Sequence, residues 1–438
     1  MSENPNPVAS EIPGLPSIVR AFRHRNFRLY FSGQCISLVG TWIQSVALGW
    51  TVYQMTRSAL LLGLVGFAGQ LPLFILTPLA GVFVDRFSRH RTLVITQTLS
   101  MIQALLLAVL AFSHHLNVFG IIALNALAGT ILAVDMPTRQ TFLVDLVGHG
   151  PDLPNAVALN SFTVHSSRIL GPAIAGLLLM RVSPALCFLL NGLSYIAVIA
   201  ALLVMRLAPV ERGARTNKRA HHELLEGLRY AWGFAPIRAI LSLVALVSLT
   251  GASYAVLMPI FAAQVFHGGA HTLGLLMAVP GVGAMTAGIY LASRKSVLGA
   301  GIRIATGSVV FGGALVVFSQ SHWMPLSIFA LVLGGLGVVT QMALSNTVLQ
   351  TLVDHDKRGR VMSLFTMAFL GMSPFGSMLA GALANKFGAP VAVALGGVAC
   401  ILGGVAFGLQ IPALRRAAHP IYREKGIISP EIAPGGPC

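Results

Sequence analysis

Negative charge is scarce in this chain. Only 13 of its 438 residues are Asp or Glu, against 29 Lys and Arg, and charged residues of both signs make up 10%. Soluble domains carry about 25% charged residues, so an ordinary water-facing globular surface is excluded. Cysteine is nearly absent too. Cys35, Cys187, Cys400 and Cys438 lie far apart, with neither metal-ligand spacing nor a paired pattern. They read as isolated apolar thiols plus one terminal residue, and no metal or other cofactor is expected. The chain also lacks HExxH, GxSxG and GxxxxGKS, which removes zinc-protease, hydrolase and P-loop chemistry. Neither an enzyme nor an ATP-driven pump is expected. The opening residues, MSENPNPVASEIPGLPS, are polar and proline-rich with no apolar core, so no signal peptide is expected there.

What is there instead is apolar: hydrophobic residues are 55% of the chain. A bilayer span takes roughly 20 consecutive apolar residues, and the chain offers many such runs between short polar connections. Strands of a membrane barrel would be ~10 residues of alternating polarity. These runs are longer and do not alternate, so the spans are helices. Twelve are predicted, near 29–54, 59–84, 92–113, 117–140, 155–180, 183–205, 238–265, 271–292, 299–319, 323–350, 361–384 and 388–411. The expected fold class is all-α, a polytopic membrane protein of twelve transmembrane helices in two six-helix halves. Its parts are a disordered N-terminal tail (1–27), a first half (28–206), a linker (207–237), a second half (238–411) and a C-terminal tail (412–438). The linker is basic and then amphipathic, with Leu224, Leu225, Leu228 and Trp232 at helical spacing.

Lysine and arginine stay on the cytoplasmic side of membrane proteins. Counted over twelve spans, 25 of the 29 fall on the side of the termini. Arg57, Arg181 and Lys386 fall on the other side, and Arg168 lies within a span. Both termini are therefore expected in the cytoplasm. The net charge of +16 is a topology signal; a nucleic-acid partner would need a folded basic domain, and none is expected.

The halves repeat. SLVG at Ser37 matches SLTG at Ser248, and Gly63 falls on Gly274 at the same shift of 211. FLVD ending at Asp145 matches TLVD ending at Asp354, and GPAIAG at Gly171 matches GSMLAG at Gly376, with shifts of 209 and 205. Three matches in register argue for duplication, an architecture that carriers use with the substrate site between the halves.

The loop GVFVDRFSRHRTL breaks the apolar pattern most sharply, with Asp85, Arg86, Arg89 and Arg91 set between uncharged runs. Its repeat counterpart has Ala292 where Asp85 stands. A loop that only set topology would need no aspartate, so the acid points to a further role. Gly81-x-x-x-Asp85-Arg86-x-x-Arg89-x-Arg91 resembles the signature loop of the major facilitator superfamily, with Ser88 and His90 where the family has glycine and usually a base. The resemblance covers nearly the whole chain. It implies a conformational latch that holds the halves together on the cytoplasmic side, Asp85 meeting the eleventh helix near Arg360 to Ser363. Plain positive-inside decoration is the alternative. In the fifth span, Ser167, Gly171, Pro172 and Gly176 resemble the family's antiporter helix motif, though a kinked packing helix would use the same residues. DMPTRQTFLVDLV, NAVALNSFTVHSSRILGPAIAG, HELLEGLRYAWGFAPIR and VLQTLVDHDKRGRVMSLF resemble the subgroup of enterobactin exporters and macrolide-type drug:proton antiporters. That implies a monomeric carrier in the bacterial inner membrane, placed between a small-molecule substrate and the proton gradient.

Ionisable groups inside spans are costly and usually functional. Asp135 is the one acid expected within the membrane, and Arg139 lies four residues on. It is the proton-coupling candidate, or else a structural partner of Arg139 or Arg86. Arg168 sits deep in the fifth span with no carboxylate at a like depth. It bonds neighbouring amides and carbonyls, or it meets an anionic substrate. His165 is a second proton-carrier candidate. The resemblance places spans one, four, seven and ten around the cavity, which selects Gln44, Asn125, Gln341 and Asn346; each is equally able to tie helices together. The expected function is secondary active export of a siderophore or drug-like molecule by alternating access and proton antiport. Uptake or facilitated carriage of a metabolite is the alternative among carriers, and a non-transporting scaffold or sensor the alternative outside them.

Overall fold

Short polar words cut the apolar runs into helices. Ser88 and Asn117 each accept a hydrogen bond from the backbone N–H three residues on, capping the helices that follow. Prolines sit in the first turn of several others, where the missing N–H costs nothing. Gly148 takes a φ of 73° to end one helix and Gly388 a φ of 87° to join two. The computed structural model describes residues 17–148, 150–206, 229–292, 299–354 and 357–424, without the side chains of 17–18, 77–86, 292 and 424. Most of the expected linker, and the tail beyond 424, lie outside the described residues.

Among the described residues twelve long helical segments result: α1 (Arg25–Thr56), α2 (Ala59–Arg86), α3 (Arg89–Phe112), α4 (Val118–Val147), α5 (Leu153–Leu178), α6 (Pro184–Val204), α7 (Ala235–Val265), α8 (Ala270–Ala292), α9 (Ala300–Gln320), α10 (Met324–Leu352), α11 (Arg358–Phe387) and α12 (Ala389–Glu424). No strand occurs among the described residues. Eleven segments are long and apolar enough to cross a bilayer by composition. The twelfth, α5, has the length but carries Asn160, Ser161, Thr163, His165, Ser166, Ser167 and Arg168 in its middle. The all-α class and the multi-pass membrane architecture follow.

In the first half, α1 packs on α5 and α6, α3 on α6 and α4, and α2 on α4; in the second, α9 packs on α10 and α12, and α8 on α10. The halves meet chiefly through two helix pairs, α2 with α11 and α5 with α8, with smaller contacts of α1 on α7 and α8 and of α2 on α7.

Both ends of the chain differ from expectation. The N-terminal tail ends sooner than 27. Ser17–Arg23 forms a 3-10 turn, held by an Arg20–Asp152 ion pair, by His24 Nε2 at 3.0 Å from the other Asp152 oxygen, and by the Ala21 N–H donating to Asn155 at 2.8 Å. Such polar anchoring is invisible to a hydropathy pattern. At the other end α12 runs on to Glu424, 36 residues in all. At 1.5 Å per residue that is ~54 Å, well beyond a ~30 Å hydrocarbon core, so its last turns, with Arg415, Arg416 and Arg423, leave the membrane.

Two second-half helices are broken. α7 is α-helical only to Leu246, then passes through π and 3-10 turns to Val265. α11 breaks between Phe369 and Ser373, at Gly371 and just before Pro374. Gly376 and Gly396 lie directly against the carbonyls of Leu249 and Thr250 in the irregular part of α7, leaving no room for a Cβ.

Candidate coupling and substrate site

Asp135 is 3% exposed, and every oxygen is engaged. Thr96 and Gln97 of α3 donate to Oδ1 at 2.7 and 2.8 Å, while Arg139 Nε lies 2.6 Å from Oδ2. The spacing of four residues puts both charges on one helix face. Arg139 also donates through Nη1 to Gln34 Oε1 of α1 at 3.2 Å. A carboxylate taken out of water at this depth needs such an arrangement, because an unpaired buried charge costs several kcal/mol. The two α3 donors were not singled out in the sequence; the polar word TQT inside an apolar run was the available signal.

The four cavity candidates fall in different places. Gln44 joins a chain of amides crossing four helices: Asn191 Nδ2 donates to Gln44 at 2.8 Å, Gln44 to Gln103 at 3.2 Å, and Gln103 to the Leu124 carbonyl at 3.1 Å. Asn125 donates to the Val65 carbonyl of α2 at 2.8 Å. Gln341 is fully buried and its backbone lies against Gly307 of α9. Asn346 accepts from Gln350 at 2.5 Å on the exposed end of α10.

Arg168 is exposed on α5, its Cζ 5.5 Å from the centroid of the Trp42 ring of α1. A guanidinium over an aromatic face is attracted by the ring quadrupole. No ion pair engages it among the described residues. Gly171 lets α1 come close to α5 here, since a Cβ there would run into Cβ of Trp42 and the Val39 carbonyl. The antiporter-type motif and the arginine thus share one short piece of α5.

The rest of that motif sits at the boundary. A Cβ at Gly176 would stand 3.0 Å from Cα of Gly274 in α8, and one at Gly63 would stand 2.9 Å from Cα of Gly381 in α11. Gly63 and Gly274 are repeat mates, as are Gly176 and Gly381. The duplication therefore makes two equivalent glycine crossings, related by the pseudo-twofold between halves. Both lie toward the membrane face opposite the termini. Nearer the middle, Phe375 of α11 packs edge-on to Phe67 and Phe74 of α2, and Gln70 donates to Ser377 at 3.4 Å. Ser167 is buried in α5.

The model of the transmembrane secretion effector family, of MFS type, matches residues 17–424. The chain belongs to that family and is a major facilitator transporter. Among its relatives, the staphyloferrin A transporter of Staphylococcus aureus is 29% identical over 82% of this chain and 90% of that protein. The multidrug efflux pump Tap of Mycolicibacterium fortuitum is 27% identical over 80% and 87%. The enterobactin exporter EntS of Citrobacter koseri is 24% identical over 91% and 94%. Solved structures of like fold include the nucleoside transporter NupG, with TM-score 0.66 and 10% identity over 88% of this chain and 99% of that one. An inward-facing bacterial homolog of the lysosomal transporter Spinster gives 0.65 and 14% over 95% and 100%.

In this transporter the signature loop is described only in part. The side chains of Gly81, Asp85 and Arg86 lie outside the described residues. Arg89 Nη1 lies 2.6 Å from Asp145 Oδ1 at the end of α4, so the loop is tied to the Asp of the FLVD repeat word. His90 Nε2 lies 2.8 Å from the Leu202 carbonyl of α6, and the Arg91 N–H donates to the Ser88 cap. The transporter's Asp152 carboxyl is held below the ordinary carboxylate range. Burial alone would raise it, and the hydrogen bonds and charges of His24 and Arg20 outweigh that. Among the described residues no cluster of three or more His, Cys, Asp or Glu could hold a metal ion.

Proposed function

We propose that this transporter exports a small organic molecule, of siderophore or drug-like class, from the cytoplasm by proton antiport. The observation that carries the reading is the Asp135–Arg139 pair, a buried carboxylate held by a base that already has a second partner in Gln34. Protonation of Asp135 neutralises it and releases Arg139 toward Gln34; deprotonation draws the base back. A switch of partner between two buried states is what couples a proton to a rocking of helices. The named activities of the staphyloferrin A, Tap and enterobactin relatives support the substrate class.

Alternating access runs on the two glycine crossings. They set α2 on α11 and α5 on α8 closely enough for one half to rock against the other as a rigid body. With both termini cytoplasmic, a reading that the arginine and lysine distribution supports, the crossings close the outer face and the site opens inward. The Asp85 loop serves as the latch of the opposite state. Substrate sits between halves at Arg168 and Trp42, where an anionic or aromatic group meets both a cation and a ring face. Reconstituted transporter, loaded with candidate siderophores or drugs in proteoliposomes, tests this. Flux should be driven by an imposed pH gradient and stop when the gradient is collapsed. Flux indifferent to the gradient would replace antiport by facilitated carriage.

A further inference from the structure

The second half contains a cavity that the transport path does not use. It lies at the membrane face of the termini, among α7, α9, α10 and α12, as a groove half open to the surface with a volume of about 70 Å³. Ile240, Ile304, Leu352 and Phe407 give it apolar walls, and Arg415 is its one charged lining residue. Arg415 is partly buried and has no hydrogen bond or ion pair among the described residues. The cavity lies away from the glycine crossings and from Arg168.

The corresponding part of the first half is a packed apolar core. There Phe27, Tyr30 and Phe142 are buried, with Tyr30 and Phe142 edge-on at 5.8 Å. Leu93 packs in the same core, and its repeat mate Ile304 is a cavity wall. The repeat shifts carry Phe27 to Arg238 and Phe142 to Thr351. Two rings are thus replaced by a cation and a small polar residue, neither of which lines the cavity. Depth is fixed by Trp232, 63% exposed just before the Pro236 of the cavity rim, because tryptophan collects at the membrane–water boundary. Arg238, Arg416 and Arg423 stand on the same face, and no acid lines the cavity.

We propose that this cavity binds an anionic phospholipid of the leaflet on the side of the termini, an acyl chain lying against the apolar walls and the phosphate at Arg415. Apolar walls at hydrocarbon depth fit a methylene chain, and a partly desolvated guanidinium fits a phosphate in a fork. A free inorganic anion would leave the walls unused, and a zwitterionic lipid would leave the arginine field uncompensated.

Native mass spectrometry of the full-length transporter tests the proposal, with phosphatidylglycerol and phosphatidylcholine of identical chains as probes. Phosphatidylglycerol should be retained about fivefold better, the factor expected of one basic group near the headgroup. Arg415→Gln should bring the two lipids level at an unchanged melting temperature. Gly301→Leu should weaken both, since a Cβ at Gly301 meets only Ile411, at 3.8 Å, and points into open space. Ala418→Leu fills the cavity from α12 as a second variant of the same kind. Equal retention of both lipids by the native protein would overturn the proposal. So would retention unchanged by Arg415→Gln and both filling variants, or displacement of phosphatidylglycerol by inorganic phosphate alone.

Discussion

Asp135 and Arg139 of the first half stand, under the shift of 209, where the second half has Leu344 and Val348, and Asn191 stands where it has Cys400. Gly40 of α1 lies against Asn191 and Ser194, and its mate Gly251 lies against Cys400 and Phe311. One half is tied by buried polar groups and keeps its helices whole. The other lacks a buried ion pair among the described residues, and its α7 and α11 are broken. On the proposed reading only the first half carries a proton-binding group. The copy freed of it can give up regular hydrogen bonding, because backbone released from a helix is tolerated at membrane depth where neighbouring helices cover it. Chemistry is thus concentrated in the first half and bending in the second.

The sharpest way to break this contrast is Asp135→Asn. Flux driven by a pH gradient should fall to background, while counterflow exchange of substrate, which moves no net proton, survives. Leaving the partly buried Arg139 without its carboxylate costs up to ~3–5 kcal/mol, read as a lower melting temperature in detergent. A further Arg139→Gln change should restore much of that stability without restoring coupling. Persistence of gradient-driven flux in Asp135→Asn would make the pair purely structural.

Equivalence of the crossings is tested by Gly63→Val and Gly274→Val. Each forces a side chain against backbone less than 3 Å from its Cβ, an overpacking worth ~1–3 kcal/mol. Both should reduce flux to a similar degree, at unchanged membrane abundance. A loss confined to one of them would show that the halves do not rock about a shared axis.

A smaller effect is expected at Arg168→Gln. Transport of anionic compounds should fall more than that of neutral ones, and melting should shift little, since the stacking on Trp42 contributes only ~0.5–1 kcal/mol at an exposed site. A uniform loss across substrates with lowered melting would assign the arginine to structure.

The smallest concerns Asp152, in the first half's anchoring of its own N-terminus. Its carboxyl range is lowered in the folded state, so the attachment is complete at neutral pH and is lost as pH falls through that lowered range. Asp152→Asn should remove about 0.2–1 kcal/mol at neutral pH and abolish the acid-side loss. Limited proteolysis at the Ser17–Arg23 turn across pH would register both.

Which of these features could be read from the chain depended on whether they were local. The spans follow from run length, and the Asp135–Arg139 pair follows from a spacing of four on a helix. The faces of Gln44 and Asn125 were not legible, because a membrane helix is apolar toward lipid and toward its neighbours alike, and no polar stripe marks the side that faces a cavity. The break in α11 had a visible cause in Gly371 and Pro374, though the span reads as one run. The longer break in α7 has only Gly251 and Pro259 as local signs; what permits it is the close approach of Gly376 and Gly396 from other helices. Asp145 as the partner of Arg89, and Trp42 as the ring beneath Arg168, depend on contacts between distant segments.

The polarity of α5 bears on how the molecule is made. A helix carrying an arginine near its centre pays about 2.5–3.5 kcal/mol on leaving the translocon for lipid. Its ring partner, Trp42, has already been synthesised on α1, so the guanidinium need not face the acyl chains alone. Its other neighbour, α8, does not exist until nearly a hundred further residues have been added. Between those moments Gly176 of α5 has no partner helix, and the growing chain must be held near the insertion machinery until the second half arrives. Biogenesis of the first half therefore finishes only with that of the second.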